Sequence, residues 1–236
     1  MSVKTMTNRM MTGILSRLSL RARLIIVLLT LGLLGIAGYH TERVLNVQYY
    51  LRLARARIAD IRYAPAPPPQ ADHIAPLFSP EVIYWEDDIV RWSQQYNLDP
   101  NLLATVMQIE SCGHPTVNSP AGAQGLFQVM PFHFADGENM LDPDTNAMRG
   151  ARFLNECIGW ASGDIGLAMA CYNGGPGVIQ RNPANWYSEV KRYYAWGVPI
   201  YADALVHKTE SETLTRWMNA GGARLCNSAS SQLGLR

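Results

Sequence analysis

Asp99-Pro100-Asn101-Leu102-Leu103-Ala104-Thr105-Val106-Met107-Gln108-Ile109-Glu110-Ser111 is the stretch on which the fold turns. Asp99 is a capping side chain and Pro100 suits the first helical position, so a helix starts here. Leu103, Met107 and Glu110 fall at i, i+4 and i+7, on the stripe that should face a core. A carboxyl among apolar neighbours loses hydration, so its pKa rises and it can hold a proton near neutrality. That is the property a general acid needs to protonate a poor leaving group. The competing reading is a helix-end glutamate that bends out to water, and the helix alone does not exclude it.

The flanking sequence reads as further short helices. Ser79-Pro80 opens one that runs to about Tyr96, with Val82, Trp85, Ile89 and Trp92 at helical spacing. Asp142-Pro143 opens another, carrying Ala147, Ala151, Leu154 and Ile158. Ser162-Gly163-Asp164 opens a fourth that ends at Asn173-Gly174-Gly175. Asn182-Pro183 opens a fifth through Trp196, and Ser211 a sixth through Asn219. No run alternates with period two between turn signals, so the expected class is all-α, with room for a small irregular strand element.

Residues 1–62 hold ten Lys/Arg against two acids, and the remainder ten against seventeen, so the net charge of +1 hides a split of +8 and −7. An acidic remainder argues against a nucleic-acid partner, and a basic leader argues for a membrane one. Behind the leader, residues 1–23 with Lys4, Arg9, Arg17, Arg21 and Arg23, the span 24–39 carries no charge. Its helical length of roughly 24 Å is short of the ~30 Å hydrocarbon core, a gap that snorkelling of Arg23 and Tyr39 can close. A transmembrane anchor and a cleaved signal segment ending near Gly35-Ile36-Ala37 both fit, and both carry the following residues out of the cytoplasm.

Residues 40–62 form an expected basic amphipathic juxtamembrane helix, with Val44, Val47, Leu51, Ala54, Ile58 and Ile61 as its apolar stripe. That stripe also allows a weak dimer stem. A Pro-rich linker follows over 63–79, built on Pro65, Pro67, Pro68 and Pro69. The main domain is expected over 80–220, with a C-terminal tail at 221–236.

Four motifs stand in order across the domain: Glu110-Ser111; Ser119-Pro120-Ala121-Gly122-Ala123-Gln124-Gly125-Leu126-Phe127-Gln128-Val129-Met130-Pro131; Gly150-Ala151-Arg152-Phe153-Leu154; and Ala170-Cys171-Tyr172-Asn173-Gly174-Gly175. Together they resemble the catalytic domain of the soluble (SLT) type of lytic transglycosylases, relatives of goose-type lysozyme. The resemblance implies a compact helical domain of the α+β lysozyme-like superfamily. It also implies cleavage of the MurNAc–GlcNAc β-1,4 bond of peptidoglycan with 1,6-anhydro-MurNAc ends.

On the same resemblance Glu110 is the catalytic acid/base, and Ser111, Ser119, Gln128, Met130, Tyr172 and Asn173 bind substrate. Ser111 reads equally as a helix-end hydroxyl, and Ser119, before Pro120, as a turn residue. Phe127 departs from the methionine usual in the family, and Cys171 from its alanine. Either Tyr193 or Tyr194 would supply the last tyrosine, and Tyr194 is the choice made here. In the family the N-acetyl oxygen attacks after protonation, so one carboxyl suffices. Asp136, Glu138, Asp142 and Asp144 are candidates for a second carboxylate by proximity alone. A hydrolase on the same fold and a non-catalytic glycan-binding module of an envelope assembly are the alternatives.

Other chemistries find little footing. The five histidines share no metal-ligand spacing, and there is no Cys-x-x-Cys, nucleophile elbow or phosphate loop, so no metal or cofactor is expected. Cys112, Cys157, Cys171 and Cys226 allow three complete disulfide pairings, or free buried thiols.

Overall fold

The computed structural model describes residues 72–235. The leader, the 24–39 span, the juxtamembrane helix 40–62 and the start of the linker lie outside the described residues. Eight α-helices follow: α1 Pro80–Ile83, α2 Glu86–Tyr96, α3 Pro100–Glu110, α4 Pro143–Trp160, α5 Ile165–Gly174, α6 Ser188–Leu205, α7 Glu212–Trp217 and α8 Ala223–Leu233. Among the described residues there is no strand. Two isolated bridges, Asn118 with Gln124 and Gln124 with Val129, form the small irregular element that the pattern left room for. No helix among the described residues is long and apolar enough to cross a membrane.

Cap residues fix four of the eight helix starts. The Asp99, Asp142, Asp164 and Ser211 side chains accept from the backbone N–H of Leu102, Thr145, Leu167 and Leu214. The predicted first helix breaks at Trp85, whose indole N–H donates to the Gly113 carbonyl at 2.9 Å and turns the chain into α2. The fifth start lies later than expected: Asn182 caps only a 3-10 turn, Pro183–Asn185, and α6 then runs well past Trp196.

Helix α3 is the axis of the domain. The sequence suggested one apolar stripe, but every residue from Pro100 to Gln108 is buried. α2 and α6 pack against it, and α5 lies between α4 and α6. Its polar residues hold the incoming chain: the N–H of Ala75 donates to Asn101 Oδ1 at 2.7 Å, and that of Ser79 to Gln108 Oε1 at 3.0 Å. Ile74, Ala75, Leu77 and Phe78 are consequently core residues. The linker drawn to residue 79 therefore ends before Ile74.

The expected tail, 221–236, is also part of the domain. Cys226 is bonded to Cys112, and the Ser230 hydroxyl donates to Glu81 Oε1 at 2.6 Å. Its buried face of Cys226, Ala229 and Ser230 is made of small residues, which give no hydrophobic stripe to recognise. A second disulfide, Cys157–Cys171, ties α4 to α5. Closing a loop with a sequence separation of 114, the first bond removes more unfolded-chain entropy than the second, which spans 14.

Candidate active site

The end of α3 is built to deliver Glu110 into a loop wall. Ser111 is fully buried; its hydroxyl donates to the Leu126 carbonyl at 2.6 Å and accepts from the Gly113 N–H at 3.1 Å. The chain then turns away through Cys112 and Gly113, both at positive φ. A side chain at Gly113 would collide with the Glu81 carbonyl, so that turn is closed to other residues.

The 119–130 loop is pinned by the residues expected to touch sugar. The Ser119 hydroxyl accepts from the Ala123 N–H at 3.0 Å, closing a turn. Gln128 donates its amide N–H groups to the carbonyls of Val117 (2.9 Å) and Gly125 (3.0 Å), with its backbone at φ 44. Tyr172, on α5, donates its hydroxyl to the Phe127 carbonyl at 2.7 Å. These groups shape the wall, and of the Gln128 amide only the oxygen is left unbonded among the described residues. Met130 is half-buried and precedes the 3-10 turn Pro131–His133.

Asn146 carries as much of this loop as any motif residue. Buried on α4, it accepts from the Phe127 N–H at 2.9 Å and donates to the carbonyls of Gln124 (2.8 Å) and Met140 (2.9 Å). Its amide passes so close to Gly125 that a Cβ there would lie 2.8 Å from Nδ2. Gly150 lets α4 approach the same loop, since its Cβ would sit 2.7 Å from that of Phe127. The available signal was an asparagine beside Ala147 on the apolar face of a helix, a place where an amide stays only if it is fully bonded.

Within this wall Glu110 is half-buried, and partial loss of hydration pushes the pKa of its carboxyl up, to about 8. The Tyr193 hydroxyl works in the opposite direction, favouring the carboxylate, and the negative charge of Glu189 adds to the rise. No hydrogen bond of good geometry closes between Tyr193 and Glu110, and the buried phenol has no other partner among the described residues. The pair is poised rather than joined, as catalytic groups often are before substrate arrives. Burial and the Glu110 charge also hold the Tyr172 and Tyr193 phenols far above their ordinary range.

Tyr193, not Tyr194, faces the carboxyl. The buried residues of α6 are Val190, Tyr193, Gly197, Ile200 and Ala204, a three-and-four spacing that includes 193 and rotates 194 outward. Tyr194 is 38% exposed and meets the edge of Trp186, whose indole N–H is bonded to the Val178 carbonyl. Asn173, one residue beyond Tyr172, buries an Oδ1 with no hydrogen-bond partner, a polar atom left available at the end of α5.

The four carboxylates proposed from sequence proximity are placed otherwise. Glu138 pairs with Arg149 through two hydrogen bonds, which hold its pKa down. Asp142 caps α4, and Asp144 accepts from Arg91 and from the Trp92 indole. Asp136 is exposed. Glu189 is the carboxylate whose charge reaches Glu110, and like Tyr193 and Asn146 it stands outside the quoted motifs. Glu81, Cys112 and Cys226 converge, but both sulfurs are in the disulfide, so no thiolate is available to a metal.

Part of the chain is similar to known proteins. Residues 87–195 match the family model described as "Transglycosylase SLT domain". Over 113 residues the chain is 40% identical to a protein named "Transglycosylase" of Enterobacteria phage PRD1, covering 47% of this chain and 40% of that one. It is 27% identical over 121 residues to the "Soluble lytic murein transglycosylase" of Salmonella typhimurium, covering 46% of this chain and 18% of that one. The chain thus spans well under two thirds of either relative. A solved structure of an inactive mutant of the lytic transglycosylase Slt from Pseudomonas aeruginosa aligns with 53% of this chain and 24% of that one, at 22% identity and a TM-score of 0.44. Glu110, the 119–131 loop, Gly150 and Tyr172-Asn173 all lie inside the 87–195 range that is similar to the transglycosylase SLT domain.

Proposed function

We propose that the protein is a peptidoglycan lytic transglycosylase that uses Glu110 as its single acid/base. The observation that carries the reading is a half-buried carboxyl at the end of α3, beside the buried Tyr193 phenol, with its pKa raised to about 8. Protonated at neutral pH, it donates to the glycosidic oxygen between MurNAc and GlcNAc as the C–O bond breaks. The N-acetyl carbonyl oxygen of the MurNAc attacks the anomeric carbon and forms an oxazolinium ring. The Glu110 carboxylate then takes the proton of the sugar's 6-hydroxyl, whose oxygen attacks the same carbon and reopens the ring. This leaves a 1,6-anhydro-MurNAc end and a protonated Glu110. The second step is intramolecular, where effective molarities on the order of 10⁵ M or more favour a tethered hydroxyl over water.

Tyr193 is suited to receive the changing charge on Glu110, and Asn173 Oδ1 and the free oxygen of the Gln128 amide are suited to accept from sugar hydroxyls or amides. The basic leader and the uncharged span before the domain support tethering of the enzyme to a membrane, with the SLT domain on the extracytoplasmic side. Two disulfides in the domain suit that compartment.

A hydrolytic reading has one observation of its own, the proximity of Glu189, which could serve as base for a water. Digestion of purified sacculi in heavy-oxygen water separates the two. The proposal expects muropeptides lighter by one water, resistant to borohydride and free of label. Labelled, reducible ends would establish the hydrolase.

A further inference from the structure

We infer that a cavity between α6 and the α7–α8 turn binds a carboxylate-bearing peptide, the side arm that peptidoglycan carries on its lactyl groups. This inference rests on the reading of the protein as a peptidoglycan-cleaving enzyme. The cavity encloses about 630 Å³ and is lined by Ile109, Arg192, Trp196, Trp217, Arg224 and Ser228, among others.

Its charge is the first argument. Arg91, Arg149, Lys208 and Arg216 each lie against a carboxylate elsewhere in the domain. Arg192 and Arg224 come from different helices to one cavity, and neither has an acidic or hydrogen-bonding partner among the described residues. Each guanidinium presents a fork of N–H donors that matches a carboxylate in geometry as well as charge.

The walls are the second argument. Trp196 and Trp217 offer flat apolar faces suited to the methyl and methylene groups between the carboxylates of such a peptide. The Trp217 ring is seated on Gly222, where a Cβ would come within 2.3 Å of the indole. Gly221, at φ 131, takes the turn no other residue would adopt easily.

Position is the third. Ile109 immediately precedes Glu110, and Arg192 immediately precedes Tyr193, so both helices that supply the reactive pair also line the cavity. Most of the lining from Trp217 onward lies outside the 87–195 match, and the Cys112–Cys226 bond ties that segment to the end of α3. The site is therefore an addition of this chain's C-terminal helices to the SLT domain.

The test uses the full chain and the free tetrapeptide L-Ala-γ-D-Glu-meso-diaminopimelate-D-Ala, followed by calorimetry and tryptophan fluorescence. Turnover is measured in parallel on peptide-bearing strands and on strands stripped by an amidase. Arg192→Ala with Arg224→Ala should weaken peptide binding about tenfold or more. It should raise KM on peptide-bearing strands to a similar extent, and leave kcat and turnover of stripped strands unchanged. Unaltered peptide binding by the double variant, or equal loss on both kinds of strand, would overturn the inference. So would arginine-dependent binding to phosphatidylglycerol vesicles without binding to the peptide, which would assign the cavity to a lipid surface. Wild-type protein that binds the peptide through both arginines yet cleaves neither strand would keep the site and sink the enzymatic reading.

Discussion

At the end of α3 the half-buried Glu110 carboxyl lies beside two buried phenols, and loss of hydration raises its pKa to about 8. In the loop before α4, Glu138 lies against the Arg149 guanidinium, bonded twice, with its pKa drawn below the ordinary value. The side chains are the same and their chemistry is opposite. Removing water without supplying a cation makes an acid; supplying a cation makes a permanent anion. Only the first can give a proton to an ether oxygen at neutral pH, so location in the fold, not residue type, selects the candidate acid.

The largest effect should come from removing the acid. Glu110→Gln keeps volume and polarity but cannot cycle a proton, and turnover on sacculi should fall by about 10²–10⁴-fold or more. The same variant should be the more stable protein at neutral pH. Wild type holds a proton in the folded state up to about 8, whereas the unfolded chain releases it near 4.5. Its stability therefore declines as pH rises between those values, by up to about 1.4 kcal/mol per pH unit, and the glutamine variant escapes that decline. Urea unfolding at about pH 5 and about pH 7.5 should show the stability gap widening with pH.

Tyr193→Phe sharpens the contrast from the other side. Loss of the phenol removes the influence that favours the carboxylate, so the alkaline limb of kcat/KM, set by the protonated acid, should move to higher pH. Turnover should fall by roughly tenfold as the carboxylate formed in the reaction loses the phenol poised beside it. Tyr194→Phe, on the exposed face, should leave the pH profile where it is.

A smaller shift is expected at Glu189. Its charge raises the Glu110 pKa, so Glu189→Gln should move the alkaline limb downward while preserving most turnover. Near-complete loss of turnover would instead make Glu189 a base and the enzyme a hydrolase. Glu138→Gln, smallest of all, should change neither limb, because its pairing with Arg149 is a matter of the loop alone.

Much of this architecture is legible in the chain. The Asp99-Pro100, Asp142-Pro143 and Ser162-Gly163-Asp164 starts mark helices because capping is a local interaction between a side chain and the N–H groups just beyond it. Glu110 stands out because helical spacing places it on a buried stripe. The roles of Ser111, Ser119 and Tyr172 are not legible, since a hydroxyl near a cleft has the same sequence whether it bonds sugar or a backbone group. Here the bonds go to Leu126, Ala123 and Phe127.

Tyr193 and Tyr194 differ by one residue and about 100° of helix rotation, so a local motif cannot choose between them without the phase of the whole of α6. The helix Ala223–Leu233 is not legible in the sequence because its buried face is Cys, Ala and Ser, held by a disulfide and a hydroxyl–carboxylate bond rather than by a hydrophobic stripe. Asn146 is the instructive omission: a fully bonded buried amide builds the loop while showing only one polar letter.

Everything above depends on Glu110 being protonated when the substrate arrives. Its side-chain carboxyl carbon can be followed by NMR in ¹³C-glutamate-labelled protein, with Glu110→Gln to assign the signal. The account predicts a titration midpoint at about 8 in the free enzyme. A midpoint near the ordinary 4.5 would leave the carboxyl ionised at neutral pH and would contradict its role as the acid.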